Sequence, residues 1–200
     1  MRKTINCFIP YEENTAIDKV VTALKDSIVV NKIYLLTTAH GSMPSVPAGC
    51  EPFTIDSLNS SDTIKKIAQK ADTPFTLLYT KASPFELGYM ALERIADFLQ
   101  DRKTGMVYAD HYEWKEGEKK KHPAIDYQPG SVRDDFDFGA LLAFRSEYLI
   151  GAAGMMENER EDYRYAGLYA TRLFIAETGR IVHINEYLYT DCLLYTSPSP

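Results

Sequence analysis

Short apolar runs alternate with helically spaced apolar positions from Ile5 to Asp110, and that alternation dictates a parallel sheet covered by helices. Ile5–Ile9 reads as a buried strand ending at Pro10. Ile17, Val20, Val21 and Leu24 then recur at helix spacing, so Thr15–Leu24 reads as a helix. Lys32–Thr37 is a second strand and Phe53–Ile55 a short third. Asp62–Ala71 carries Ile64, Ile67, Ala68 and Ala71 on one helical face, and Phe75–Tyr79 is a fourth strand. Ser83-Pro84-Phe85-Glu86 has the form of a capping box with proline at the first helical position. It predicts a helix running to Gln100, broken by Gly105. Met106–Ala109 is then a fifth strand that delivers Asp110 at its end.

Sheets of this kind bind ligands beyond the carboxyl ends of their strands. Here those ends are Pro10-Tyr11-Glu12, Thr37-Thr38, Asp56, Tyr79-Thr80-Lys81 and Asp110. The second half changes character. His111–Ile125 reads as a hairpin around Glu116-Gly117, and Pro129-Gly130 as a turn. Phe138–Phe144 is a strand candidate, Tyr163–Ala176 a helix ended by Gly179, and Ile181–Ile184 a last strand. No linker or long repeat divides the chain, so the expectation is one domain over residues 1–191.

Composition supports a packed domain: 45% of the 200 residues are hydrophobic and 25% charged, which excludes a disordered chain. The net charge of −6 argues against a nucleic-acid partner. The one basic cluster, Lys119-Lys120-Lys121-His122, reads as a solvated hairpin end. No apolar run approaches the roughly 18 residues of a membrane span. Met1–Pro10 has no apolar core of a secretory signal. Cys7, Cys50 and Cys192 show no C-x-x-C spacing, which fits a reducing cytoplasm. The stretch 192–200, Cys-Leu-Leu-Tyr-Thr-Ser-Pro-Ser-Pro, resembles a translated sequencing adapter. That implies an artefactual or disordered tail, with the natural sequence departing near Asp191 and its C-terminal part missing.

Classical phosphate loops, the serine-hydrolase elbow and H-E-x-x-H are all absent. His40, His111, His122 and His183 are scattered, and scattered histidines are more often structural than ligands. His111 is the exception to watch, because it follows Asp110 at a strand end. Asp134, Asp135 and Asp137 crowd three carboxylates into four positions. Asp135 and Asp137 would share one side of an extended segment, a pattern suited to Mg or Mn. The alternative is a solvated acidic loop, or Asp134 pairing with Arg133. Glu157–Asp162 is also acidic and precedes a helix, where the helix dipole alone favours acids.

The order of elements over residues 3–191 resembles that of a family 2 glycosyltransferase of the GT-A fold. The opening strand and proline motif correspond to Cys7–Glu13, and the asparagine turn and its helix to Leu58-Asn59-Ser60 and Thr63–Ala71. The strand, motif, proline and helix in series correspond to Phe75–Tyr79, Tyr79-Thr80-Lys81, Ser83-Pro84 and Phe85–Gln100. Arg145, a glycine-rich step at Gly151-Ala-Ala-Gly154, Glu161-Asp162 and Gly179–Ile184 echo the later part. Tyr165–Tyr169 and Gly179–Tyr189 look like bacterial members.

The resemblance implies an α/β, GT-A-like three-layer sandwich, with a mostly parallel sheet of mixed edge and helices on both faces. It implies inverting transfer of a sugar from a nucleotide-sugar donor to a glycan or other hydroxyl acceptor, in bacterial polysaccharide assembly. Asp162 or Glu161 would serve as base. Pro10, Tyr11, Glu12, Thr37, Asp56, Lys81 and Asp110 would bind the donor. The chain departs from the family in having no carboxylate at Tyr79-Thr80-Lys81, where the metal motif belongs. Thr37-Thr38 stand where a nucleoside-contacting aspartate is usual, and Asp162 lies further from Arg172 than the usual spacing. Asp110 with Asp135 and Asp137 would then be a relocated Mn or Mg site. The alternatives are a domain that has lost catalysis and binds a nucleotide, a glycan or a protein partner, and a nucleotide-sugar pyrophosphorylase-like protein. The latter would show a glycine-rich loop after the first strand, which Tyr11–Asn14 lacks.

Overall fold

A computed structural model describes residues 3–12, 17–38, 46–115, 117–130, 133, 136–158 and 162–192. Among the described residues, nine strands form one sheet: β1 (Ile5–Pro10), β2 (Val30–Thr38), β3 (Glu51–Ile55), β4 (Phe75–Tyr79), β5 (Phe85–Leu87), β6 (Thr104–Lys115), β7 (Glu118–His122), β8 (Leu141–Arg145) and β9 (Arg180–Asp191). The helices are α1 (Asp18–Asp26), α2 (Ser61–Gln69), α3 (Ala91–Phe98), α4 (Ser146–Asn158) and α5 (Gly167–Thr178). The strand order is β3-β2-β1-β4-β8-β6-β9-β5, with β7 paired to β6. β1, β2, β3 and β4 are mutually parallel, and β6 pairs parallel with β9. β8 lies antiparallel to both β4 and β6, so β6 and β9 run in the direction of β1–β4. The sheet is thus mostly parallel, with β5, β7 and β8 reversed.

Successive strand side chains point to opposite faces. In β1, Ile5, Cys7 and Ile9 join a core with Val20, Val21 and Leu24 of α1 and Leu92 and Ile95 of α3. Phe8 joins the other core, with Ile64 and Ile67 of α2, Leu149 and Met156 of α4, and Leu168 and Ile175 of α5. Both faces are covered, which is why β1, β4 and β8 read as continuous apolar runs rather than alternating ones.

β1, β3, β4 and α2 fall where the sequence places them, with Ser60 capping α2 through the Thr63 N–H at 3.1 Å. The helix expected from Thr15 is described from Asp18. The helix expected from Ser83 is a correction. Phe85–Leu87 instead adds to the sheet against β9, and α3 begins only at Ala91 after Met90 in the left-handed region (φ 51°). The Ser83 hydroxyl turns to Asp191 instead of capping a helix. Gly151-Ala-Ala-Gly154 is no loop step; it lies inside α4. A Cβ on Gly151 would meet the Phe174 ring at 3.0 Å, so the small residues let α4 and α5 approach closely. The strand expected at Phe138 begins at Leu141, and β6 and β9 each extend to 12 residues. Those two long strands carry the sheet past its neighbours and support the site.

Candidate functional site

The parallel strands bring Pro10, Thr38, Ile55, Tyr79, Lys115 and Asp191 to one edge of the sheet. At this carboxyl edge the Tyr11 N–H bonds the Leu36 carbonyl at 2.8 Å, while Glu12 and Asp56 are exposed. Thr37 is buried inside β2 opposite Thr54, so Thr38, not Thr37, presents the strand end.

After β4, Lys81 forms an ion pair with Asp191, the last residue of β9. Asp191 is fully buried. Its Oδ1 accepts from the Tyr79 hydroxyl at 3.0 Å and from Ser83 Oγ at 3.2 Å. Burial, then the Asp191 charge, pushes the Tyr79 phenol well above its ordinary range, so it stays a donor. This cluster lies at Tyr79-Thr80-Lys81, where the sequence resemblance leads one to expect a metal motif. An ammonium and a phenol already satisfy its one carboxylate, so these residues do not fit a metal ion.

A second cluster lies on the β6–β7 hairpin. Gly117 takes the positive φ (79°) that the tight turn requires, and Lys115 pairs with Glu118. That register sets His111 opposite His122. Glu113 lies two residues beyond His111 and therefore on the same face. His111 Nε2 is 3.6 Å and His122 Nδ1 3.3 Å from Glu113 Oε1. The two imidazoles stack at 4.5 Å. His122 Nε2 reaches Asp137 Oδ2 at 3.0 Å, and Asp137 Oδ1 accepts the Gly139 N–H at 2.7 Å. Partial burial works to raise the Asp137 pKa, but the Gly139 N–H and His122 hold it below the ordinary carboxylate value. Burial, then the neighbouring His122, pushes the His111 imidazole down. Tyr189 of β9 stacks on His111 at 4.8 Å, and its hydroxyl accepts the Ala140 N–H at 2.8 Å. A Cβ on Gly139 would sit 2.5 Å from that hydroxyl and 3.4 Å from His111 Nδ1, and its φ is 71°, so only glycine closes this corner without strain.

Asp110 does not end its strand. It sits inside β6 at a register irregularity opposite Tyr187, a bulge that re-aims its side chain. Its Oδ1 accepts the Ala124 N–H at 2.8 Å and meets His183 Nε2 at 2.9 Å. His183 Nδ1 meets Asp126 at 2.6 Å, and the ring stacks on Tyr108. Asp110 is therefore a structural tie beneath the hairpin. The structure pairs Asp137 with His122 rather than with Asp110.

Asp162 is exposed and accepts from Ser61 Oγ at 3.1 Å, at the start of α2. The Tyr163 N–H donates to the same hydroxyl, and the Ser61 N–H to the Tyr163 carbonyl. Asp162 thus stands on the β3–α2 side of the carboxyl edge, apart in its bonding from Asp110 and Asp137. Glu161, Asp134, Asp135 and His40 lie outside the described residues. The residues that sequence reasoning missed are Glu113, His122, Tyr189 and Asp191. One signal was available for two of them: a turn at Glu116-Gly117 forces the register that places His122 and Glu113 beside His111.

No protein-family model matches the chain, and no curated protein matches its sequence. Solved structures match its fold. A 2-C-methyl-D-erythritol 4-phosphate cytidylyltransferase from Thermus thermophilus aligns with a TM-score of 0.53 at 10% identity, over 92% of this chain and 89% of that one. Glucosyl-3-phosphoglycerate synthase from Mycobacterium tuberculosis, in complex with UDP, aligns at 0.51 and 10% identity, over 99% and 73%. S. aureus TarS 1-349 aligns at 0.59 and 8% identity, over 94% of this chain and 60% of that one. At such identities the likeness establishes the fold: a GT-A-like α/β sandwich. No helix among the described residues is long and apolar enough to cross a membrane.

Proposed function

We propose that the chain is a glycosyltransferase that moves a sugar from a nucleotide-sugar donor to a hydroxyl acceptor with inversion. The observation that carries this reading is the point where strand order reverses. β1 connects through α1 to β2 on one side, and the chain returns after β3 and α2 to place β4 on the other side of β1. Open α/β sheets bind ligands in the crevice beyond such a reversal. Pro10-Tyr11-Glu12 and Thr80-Lys81 border that crevice. Lys81 supplies a cation for a diphosphate where the family places a metal. Asp162, exposed across the edge, is the base that takes the acceptor's proton, with Glu161 beside it in sequence. Strands drawn from Ile5 to Asp191 into one sheet support a single domain over 1–191.

The M. tuberculosis synthase is also known with Mn2+, UDP-glucose and phosphoglyceric acid, which supports a nucleotide-sugar donor. The cytidylyltransferase likeness supports a nucleotidyltransferase instead. One feature favours sugar transfer over that second reading. Tyr11-Glu12-Glu13-Asn14-Thr15-Ala16, after β1, has no glycine and no basic residue. Two glutamates there oppose a nucleoside triphosphate.

Melting temperature with UDP-, GDP-, dTDP- and CMP-sugars tests the reading, since a ligand of the folded state alone raises it. One donor is expected to stabilise the chain and to be consumed in the presence of a glycan acceptor. Asp162→Asn is expected to abolish turnover and leave donor binding nearly intact. Stabilisation by CTP or another triphosphate alone would overturn sugar transfer in favour of nucleotidyl transfer.

A further inference from the structure

We infer that His111, Glu113 and His122 form a binding site for one divalent transition-metal ion of the zinc type, with Asp137 holding His122 from behind. Their ligand atoms lie within 4.8 Å of one another. Atoms bound at 2.0–2.1 Å to a tetrahedral ion are about 3.3–3.4 Å apart. The Glu113–His122 edge is 3.3 Å and the Glu113–His111 edge 3.6 Å. The second is too long for a hydrogen bond and close to the spacing of two ligands on one ion.

The polarity of the atoms points the same way. A carboxylate accepts only, so the contact between His122 Nε2 and Asp137 puts the ring proton on Nε2. Nδ1 then directs a lone pair toward Glu113 Oε1, which is also an acceptor. Two acceptors at 3.3 Å need a cation between them. A proton on Nδ1 would satisfy that edge and leave His111 unserved. His111 is 2% exposed, and its Nε2 faces Glu113 Oε1 at 3.6 Å. An ion shared with Glu113 would give this buried nitrogen a partner that the 3.6 Å contact does not.

Two imidazoles and one carboxylate form the donor set of open, three-ligand zinc sites, and imidazole favours zinc-like ions over magnesium. Asp137 on the far nitrogen of His122 is the outer carboxylate that such histidines use to fix ring and tautomer. Access is present: the Glu113 and His122 side chains are 23% and 37% exposed. His122 and Asp137 also line a cleft of about 310 Å³, with Arg133 and Phe136 on its wall. The site is distinct from Tyr79-Thr80-Lys81 and does not depend on the donor assignment above.

The test uses the full chain, stripped with chelator and titrated with Co2+ and then Zn2+. The expected result is one Co2+ per chain with a visible ligand-field band, displaced by Zn2+, and a raised melting temperature. Glu113→Gln and His122→Ala should each weaken Zn2+ by more than about 100-fold, and Asp137→Asn by about 10–100-fold. Lys119→Ala, on the same hairpin, should bind as the parent does. Both ligand positions are partly exposed, so these variants should keep the parent's circular dichroism. No saturable binding, or equal binding by Glu113→Gln, His122→Ala and the parent, would overturn the site. These readouts are independent of transferase activity, so failure of the donor assay leaves the result interpretable.

Discussion

Lys81 and Asp191 join the carboxyl ends of β4 and β9 through an ion pair whose carboxylate is fully buried. Burying a charge is costly unless hydrogen bonds and a counter-charge offset it. Asp191 has both, from Tyr79, Ser83 and Lys81. Asp191→Ala removes the acceptor shared by Tyr79, Ser83 and Lys81 and leaves the buried Tyr79 hydroxyl only its 3.3 Å contact with Ser83 Oγ. Urea denaturation should show a loss of about 2–4 kcal/mol. Asp191→Asn keeps an acceptor oxygen for Tyr79 and should lose less. Equal losses would mean that the charge, not the hydrogen bonds, sets the stability of this junction.

Local reading succeeded where the determinant was local. β1, β4 and α2 were legible because buried parallel strands are apolar runs and Ser60 caps a helix through its own sequence neighbours. Ser83-Pro84-Phe85-Glu86 carried a sound capping signal, but pairing of Phe85–Leu87 with Tyr189–Asp191 outweighed it. That pairing joins strands far apart in the chain, and no local pattern encodes it. α4 was hidden for a different reason: Gly151 and Gly154 lower helix propensity, yet close packing of Gly151 against Phe174 requires a small residue.

The site was legible only in part for the same reason. His111 stood out beside Asp110, but His122 follows three lysines and looked solvated. The partnership of His111, Glu113 and His122 exists only in the folded register of the hairpin. Asp110 looked like a strand end because apolar character stops there, whereas β6 continues to Lys115 as half-exposed sheet.

Alkaline titration should expose the tie below the hairpin. The Tyr108 hydroxyl donates to the Ile125 carbonyl at 2.6 Å and accepts the Tyr127 N–H at 2.8 Å. Burial, followed by the Asp126 and Asp110 charges, pushes this phenol up to about 12, against the Tyr127 N–H. An unfolded tyrosine loses its proton near pH 10. Between about 10 and 12 the folded chain therefore binds more protons than the unfolded one, and stability falls as pH rises. The contribution is complete below about pH 10 and lost as pH passes about 12. Burial raises Tyr79 and Tyr189 as well, with the same sign. Tyr108→Phe should remove one late phenolate from the ultraviolet titration and flatten the fall of melting temperature in this window. Curves superimposable on the parent's would refute the assignment.

Two glycines should respond to alanine with opposite signs. Gly167 opens α5 against the start of α2, and its N–H bonds the Asn59 carbonyl at 2.7 Å. A Cβ there would lie 2.4 Å from Ser61 N and 2.5 Å from Ser60 C, both backbone atoms that cannot rotate away. Gly167→Ala must push the two helix starts apart and should cost about 1–3 kcal/mol, a fall of several degrees in melting temperature. The same displacement would loosen the bonds of Asp162 and Tyr163 to Ser61. Gly154 lies inside α4, and a Cβ there meets nothing within 4 Å. Gly154→Ala should be neutral or stabilise by up to about 1 kcal/mol, because alanine loses less chain entropy in a helix. Calorimetry on both variants separates the effects. If Gly167→Ala melts with the parent, the contact between α5 and α2 is looser than the backbone distances require, and Asp162 is not positioned by it.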